Sequence, residues 1–320
     1  MTDVLSGAAG WSALTSASGA ALTSRDVIVC HGPDTVTFLQ GQLSQDVAAM
    51  APGEVRWSLH LQPQGKVIAV LRLTRLAGDG VLIDTDPGAG ADVHAALSRF
   101  KIRTKSELVL IDGVPTLAVR GPGDVVSDAV SDAAAASAEL SRVDVAELLD
   151  GTVIRLPLAP WQGPGHDVLA VGKAPGDLPT DGAVPVDAEV FEAHRIWLGV
   201  PRHGAEIVDG PIPVETGLIP STVAFGKGCY VGQELVERLD SRGRQIRRLM
   251  VLDLAAPAVL GVGQPVTDPD GKQVGAVTST ASRPDTKAAV AIALLRADVE
   301  EGSTVQVDGH PALVRLPAGR

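Results

Sequence analysis

The sequence predicts an α+β protein of two similar α+β subdomains with mainly antiparallel sheets, followed by a small all-β domain. Three observations carry this. The first third runs strand, helix, hairpin, strand, helix, an order that fits an antiparallel sheet with helices packed on it rather than a doubly wound sheet. Strand and helix units then repeat in looser form to about residue 200. From Arg247 onward helical periodicity stops, and short strands alternate with Gly-, Pro- and Asp-rich breaks. The boundary falls at or near Gln245, giving a region 1–245 and a domain 246–320.

Residues 1–24 are small and polar without sustained periodicity, and read as a loosely structured lead-in. Asp26-Val27-Ile28-Val29-Cys30 has a buried-strand pattern closed by His31-Gly32-Pro33. Asp34 can cap a helix with Val36, Phe38, Leu39 and Leu43 at helical intervals. Cys30 is then a small core residue at a strand end. Glu54–Leu61 and Lys66–Leu76 are strand-like runs joined by Gln62-Pro63-Gln64-Gly65, a turn composition. A strand at Val81–Asp84 leads to a helix through Val93, Leu97 and Phe100. Glu107–Ile111 and Pro115–Arg120 read as two strands, and Gly121-Pro122-Gly123-Asp124 opens an alanine-rich helical region. Short strands follow at Thr152–Leu156 and Val168–Val171. Val190, Phe191, His194, Trp197 and Leu198 form an amphipathic stripe ending at Gly199.

The 320 residues are 45% hydrophobic, enough for two or three cores. A net charge of −11 argues against nucleic-acid binding by the whole surface, since a polyanion would be repelled. Arg238, Arg242, Arg244, Arg247 and Arg248 are the densest basic cluster, either solvated charge or a local anion or RNA contact. No apolar run is long enough to span a bilayer, and the start lacks the pattern of a secretion signal. With only Cys30 and Cys229, a reduced cytoplasmic setting is expected, and two thiols alone cannot complete a four-ligand cluster or zinc site.

The most chemically pointed stretch is Phe225-Gly226-Lys227-Gly228-Cys229-Tyr230-Val231-Gly232-Gln233-Glu234. Leu235, Val236 and Leu239 continue at helical spacing, so a helix begins near Gly232 and Cys229 lies just ahead of its N-terminus. Unpaired N–H groups there and the Lys227 ammonium would favour a thiolate if the side chain points their way. From the residues alone, Cys229 is either packed in a tight turn or reactive, Lys227 either tunes it or is solvated, and Tyr230 packs its ring.

KGCYVGQE, residues 227–234, resembles the signature of the YgfZ family, folate-binding proteins related to the aminomethyltransferase (T-protein) of glycine cleavage. HGPDTVTFLQGQLSQDV, residues 31–47, with the Gly-Lys hairpin after it, resembles the N-terminal half of the T-protein, and GKQVGAVTSTASRP a hairpin of its C-terminal β-barrel. The resemblance implies a folate-binding region over 1–245, a β-barrel over 246–320, and tetrahydrofolate or a one-carbon derivative as cofactor. It implies that Cys229 is the functional residue, associated with the upkeep of iron–sulfur enzymes, with Lys227 beside it. Arg195 matches a folate-binding arginine and Glu215 the glutamate of a Pro-x-Glu-x-Gly-Leu segment; Tyr230, Gln233 and Glu234 rank below as ligand contacts. By spacing, Asp92 matches the transferase's essential aspartate, with Asp86 nearby. Where the T-protein has Gly-Tyr-Thr-Gly-Glu, this chain has Trp161-Gln162-Gly163-Pro164-Gly165-His166-Asp167, which weakens aminomethyl transfer. The implied function is a tetrahydrofolate-binding accessory protein for iron–sulfur cluster assembly or repair, with indirect effects on tRNA modification. Its partners would be folate and iron–sulfur enzymes or assembly factors, with Cys229 acting beside bound folate. The alternative is a folate-dependent aminomethyl or methyl transferase.

Overall fold

The computed structural model describes residues 4–122, 133–180, 182–208, 210–242 and 246–319. Gly123 and Asp124 of the turn before the alanine-rich region, Arg244 and the boundary residue Gln245 lie outside them, as does the Arg242 side chain. The chain opens with α1 (Gly7–Ser16), β1 (Gly19–His31), α2 (Thr35–Gln42), the hairpin β2 (Val55–Leu61) and β3 (Val67–Arg75), β4 (Val81–Thr85), α3 (Gly90–Phe100) and β5 (Glu107–Arg120). Then come β6 (Thr152–Pro157), β7 (Gly165–Val171), the two-residue β8 (Val184–Pro185) and a helix, Ala188–Leu198.

All eight strands form one sheet in the order β2-β3-β4-β1-β5-β7-β6, with β8 added parallel to β1. The two α+β units are joined within it. The second half of β1 pairs with β4 of the first unit, while its first half and the end of β5 lead to β8 and β7 of the second. The β1–β5 register slips between Arg25 and Val27. Asp26 sits at this irregularity, and its carboxylate accepts N–H bonds from Gly88 (2.8 Å), Gly90 (3.0 Å) and Gly113 (3.0 Å), tying α3 and the middle of β5 to β1. What reads in sequence as two strands around Asp112-Gly113-Val114-Pro115 is therefore one long, bent strand. One face of the sheet packs on α2 and α3 through Ile28, Phe38, Leu39, Leu71, Ile83, Val93 and Leu97.

The N-terminal stretch is ordered, contrary to the sequence reading. Trp11 and Leu14 of α1 are buried, and the Trp11 ring lies edge-on to His194 and Trp197 at 5.8 and 5.6 Å. Two large apolar residues one turn apart suffice to dock a helix otherwise made of small residues. Ala188–Leu198 is capped by the Asp187 carboxylate on the N–H of Glu189, and ends at Gly199, whose φ of 74° is the left-handed conformation favoured after a helix.

β9 (Arg247–Leu254), β10 (Pro265–Thr267), β11 (Gln273–Ser282), β12 (Ala289–Arg296), β13 (Thr304–Val307) and β14 (His310–Arg315) close a barrel in the order β10-β11-β12-β9-β14-β13. Its interior is filled by Met250, Leu252, Val277, Ala291, Ala293, Val305 and Val314.

Candidate functional site

A cavity of about 720 Å³ lies where the body sheet, the Ala188–Leu198 helix and the barrel meet. β1 and β5 line one side through Arg25, Thr116 and Arg120, β2 and β3 contribute Trp57 and Val70, the helix contributes Phe191, His194 and Arg195, and β11 closes it with Thr280–Ser282. Trp57 and Trp161 meet edge-on at 5.1 Å in one wall. Trp161 is buried, and among the described residues its indole Nε1 has no hydrogen-bond partner.

In this wall and just behind it three guanidinium groups alternate with three carboxylates, Arg25, Asp86, Arg120 and Asp167 reaching the cavity. Arg72, wholly buried, donates from Nε (2.8 Å) and Nη2 (3.0 Å) to the two oxygens of Asp84, and from Nη1 to Asp167 (3.0 Å). Arg25 bridges Asp84 (2.8 Å) and Asp86 (2.5 Å), and Arg120 donates to Asp167 at 2.9 Å. Burial alone would raise the Asp167 carboxyl, but Arg120, Arg72 and Arg25 outweigh it and take it down to about 2. Burial, joined by the Arg120 cation, lowers His194 to about 3, so it stays a neutral imidazole between Trp11 and Trp197. Sequence reading missed this cluster. The signal was faint: Arg72 and Asp84 stand in otherwise apolar strands, and register alone shows that they face each other.

Arg195 reaches the cavity wall, but its five N–H donors are committed to the protein. Nε and Nη2 hold Glu192 at 2.9 Å each, Nη1 reaches Val200 O and Glu206 (3.1 Å), and Nη2 also donates to Ser279 Oγ (3.0 Å). Glu206, with no side-chain exposure, also accepts from Thr278 Oγ1 (2.9 Å) and Ser279 Oγ (2.6 Å). Those hydroxyls flank a register slip in β11, between Val277 and Ser279. Arg195 is thus the centre of a clamp between body and barrel.

Of the other sequence candidates, Asp86 lines this cavity, its carboxylate accepting from Arg25 and from the N–H of His203 (2.9 Å), and the rest lie away from it. Glu215 is buried, accepts from Arg247 Nε at 2.8 Å and from the N–H of Ile212 at 3.3 Å, and so fastens its own turn to the start of β9. Asp92 is exposed in the first turn of α3 and is not part of the cavity wall. Residues 225–234 pack on the α2 end and the β2–β3 hairpin tip. The N–H of Val231 donates to Gly41 O, and a Cβ on Gly232 (φ 81°) would come 2.7 Å from Gln62 O. Lys227 donates to Gln40 O (2.6 Å) and Leu43 O (2.7 Å), satisfying carbonyls at the C-terminal end of α2, and its ammonium stands 5.0 Å from the Tyr230 ring centroid. Burial lowers this amine to about 8 against an opposing pull from Asp46. Tyr230 is packed with Leu59, Leu61 and Val236, its hydroxyl pushed up to about 12 by burial and then by Glu237.

Cys229 is exposed, on a loop whose neighbour Gly228 has φ 98°. The helix Gln233–Arg242 starts four residues on. Gln233 accepts from the N–H of Tyr230 (3.3 Å) and donates to Glu237 (2.5 Å), while Glu234 pairs on the surface with Arg238 at 2.6 Å. Cys229 does not line the cavity: β2 alone carries the chain roughly 16 Å from Trp57 in the wall to Gln62 under the loop, at about 3.3 Å per residue. Among the described residues no three His, Cys, Asp or Glu side chains are grouped to hold a metal, and no helix is long and apolar enough to cross a membrane. In the basic cluster, Arg238 pairs with Glu234, Arg247 with Glu215, and Arg248 donates to Val299 O (2.7 Å), so these charges are used locally.

The glycine cleavage T-protein C-terminal barrel domain family matches residues 247–318. An aminomethyltransferase of Frankia alni is 28% identical over 305 residues, covering 89% of this chain and 81% of its own length. "tRNA-modifying protein YgfZ" of Vibrio vulnificus is 28% identical over 232 residues, covering 71% of the chain and 67% of the relative. The chain is a relative of YgfZ and of the glycine cleavage T-protein. The Neurospora crassa mitochondrial iron–sulfur cluster assembly factor IBA57 homolog is also 28% identical, over 238 residues and 72% of the chain; the chain spans about half of that relative, 52%. The crystal structure of aminomethyltransferase T of the glycine cleavage system from Bartonella henselae has the same fold, with a TM-score of 0.74 over 97% of this chain and 88% of that one at 21% identity.

Proposed function

We propose that the chain is a tetrahydrofolate-binding accessory protein that supports iron–sulfur cluster assembly or repair, with Cys229 as its working thiol. The observation that carries the ligand half is the cavity. Its volume of about 720 Å³ falls in the range of small-molecule sites, and it combines an aromatic wall with a few aimed polar groups. A reduced pterin fits that chemistry, for Trp57, Trp161 and Phe191 offer flat apolar surface, and Arg120 and Asp167 a donor and an acceptor. Bound there, a reduced folate would supply one-carbon carrier chemistry.

The thiol half rests on the signature match and on exposure. Cys229 stands on a glycine-flanked loop, reachable from solvent, and a glycine neighbour lets another surface approach the sulfur closely. Since Cys229 lies outside the cavity wall, this reading assigns ligand and thiol to separate surfaces that share the β2–β3 hairpin, rather than to one mouth. The names of the YgfZ and IBA57 relatives support the assignment to cluster maintenance and, indirectly, to tRNA modification.

The transferase reading is favoured by the Frankia alni relative's coverage; of its two candidate aspartates, Asp92 is exposed and away from the cavity, while Asp86 lines the cavity with its carboxylate held by Arg25 and the N–H of His203. Calorimetric titration of the purified chain with tetrahydrofolate tests the ligand half, and saturable one-to-one binding is expected. Cys229→Ala should keep that affinity and the melting temperature, yet fail to restore cluster-enzyme activity in cells lacking the protein. Full restoration by the variant would refute the role of the thiol.

A further inference from the structure

Arg120 ends β5 at the cavity wall with its guanidinium 5.4 Å from the centroid of the Phe191 ring. Its hydrogen bonds to the described residues all leave from Nη1, to Val119 O (2.8 Å), His166 O (3.2 Å) and Asp167 Oδ1 (2.9 Å). Among the described residues none leaves from Nε or Nη2, and neither of these atoms is sealed in the interior. Nε and Nη2 form one side of the planar guanidinium, two parallel donors that match two acceptors held side by side. Asp167 and the Phe191 ring fix the plane, so little order is lost when the edge is engaged. The three guanidinium groups here are balanced by three carboxylates, so Arg120 acts through aimed donors more than through excess charge. Arg195, which resembles a folate-binding arginine, has no donor left to give.

We infer that Arg120, rather than Arg195, anchors the cavity's ligand, clasping a planar pair of acceptors with Nε and Nη2. The assignment deepens the folate reading and rests on it for the choice of ligand. In a reduced folate such a pair is either the oxygen–nitrogen edge of the pterin ring or a carboxylate of the glutamate tail.

The experiment is a calorimetric titration of wild type, Arg120→Lys and Arg195→Lys with tetrahydrofolate, a reduced pterin without a tail, and p-aminobenzoylglutamate. Lysine at 120 keeps the charge beside Asp167 and loses the fork. Its affinity for tetrahydrofolate should fall roughly 10- to 100-fold, the value of a charge-assisted hydrogen bond or two. Arg195→Lys should lower the melting temperature and weaken binding less than Arg120→Lys does. A matching loss with the pterin assigns the ring edge; a loss confined to p-aminobenzoylglutamate assigns the carboxylate. Should Arg120→Lys melt early without ligand, the same titrations of all three proteins are run at a temperature where circular dichroism shows the variant folded, and the loss is read there. Unchanged tetrahydrofolate affinity in Arg120→Lys would overturn the assignment. If tetrahydrofolate fails on wild type while one of its fragments binds and needs Arg120, the folate reading falls and the anchor stands. Binding of none of the three by wild type overturns both.

Discussion

Two buried imidazoles make the fold sensitive to mild acid. Burial lowers His60 from 6.5 to about 4; burial, joined by the Arg120 cation, lowers His194 from 6.5 to about 3. In the unfolded chain both take up a proton as pH falls through 6.5, whereas in the folded chain both stay neutral until about pH 4 and 3. Between those limits unfolding binds protons, so stability falls as pH falls. At pH 5 each histidine contributes about 2 kcal/mol of this loss relative to pH 7, about 4 kcal/mol together, a large share of a typical folding free energy. Urea unfolding followed by tryptophan fluorescence at pH 7 and pH 5 measures it. His194→Phe keeps an aromatic ring between Trp11 and Trp197 and should recover about half of the difference. A wild-type difference below about 1 kcal/mol, or a variant as acid-sensitive as wild type, would refute the reasoning. Below pH 4 a further loss should set in as Asp167, held at about 2 by its arginines against burial, is protonated first in the unfolded chain.

Glu206→Ala removes the acceptor shared by Arg195, Thr278 and Ser279 and leaves a nearly buried cation short of a partner; a loss of about 3–5 kcal/mol is expected by calorimetry, and a change within 1 kcal/mol would contradict the clamp. Gly232→Ala places a Cβ 2.7 Å from Gln62 O at a φ of 81°, and should cost about 2–4 kcal/mol in urea unfolding; unaltered stability would show that loop and hairpin are not packed as described.

The hairpin, the helix ending at Gly199 and the helix after Gly232 were legible because their apolar spacing and turn residues act locally. β14 was not, since His310–Arg315 alternates over only six residues and begins beside a proline. Nor was α1, whose large buried side chains are only Trp11 and Leu14 among small residues. At the site, Cys229 and its glycines stand out because their chemistry is written in consecutive residues. The Arg25–Arg72–Arg120 cluster with Asp84, Asp86 and Asp167 does not, because its members come from separate strands and meet only through sheet order. Lys227 and Arg195 were seen as cations, but what each one grips is set by α2 in the first case and by β11 in the second.

β1 has a consequence for how the molecule is made. Because a single strand completes both units, the body has no internal seam along which one part could be cut free and still close its sheet. Residue 20 must find residues 119 and 185 to finish the second unit, and residues 27–30 of the same strand must find 81–84 and 108–111 to finish the first, so assembly depends on distant segments meeting. Such a topology favours slow, concerted folding over stepwise growth from the N-terminus.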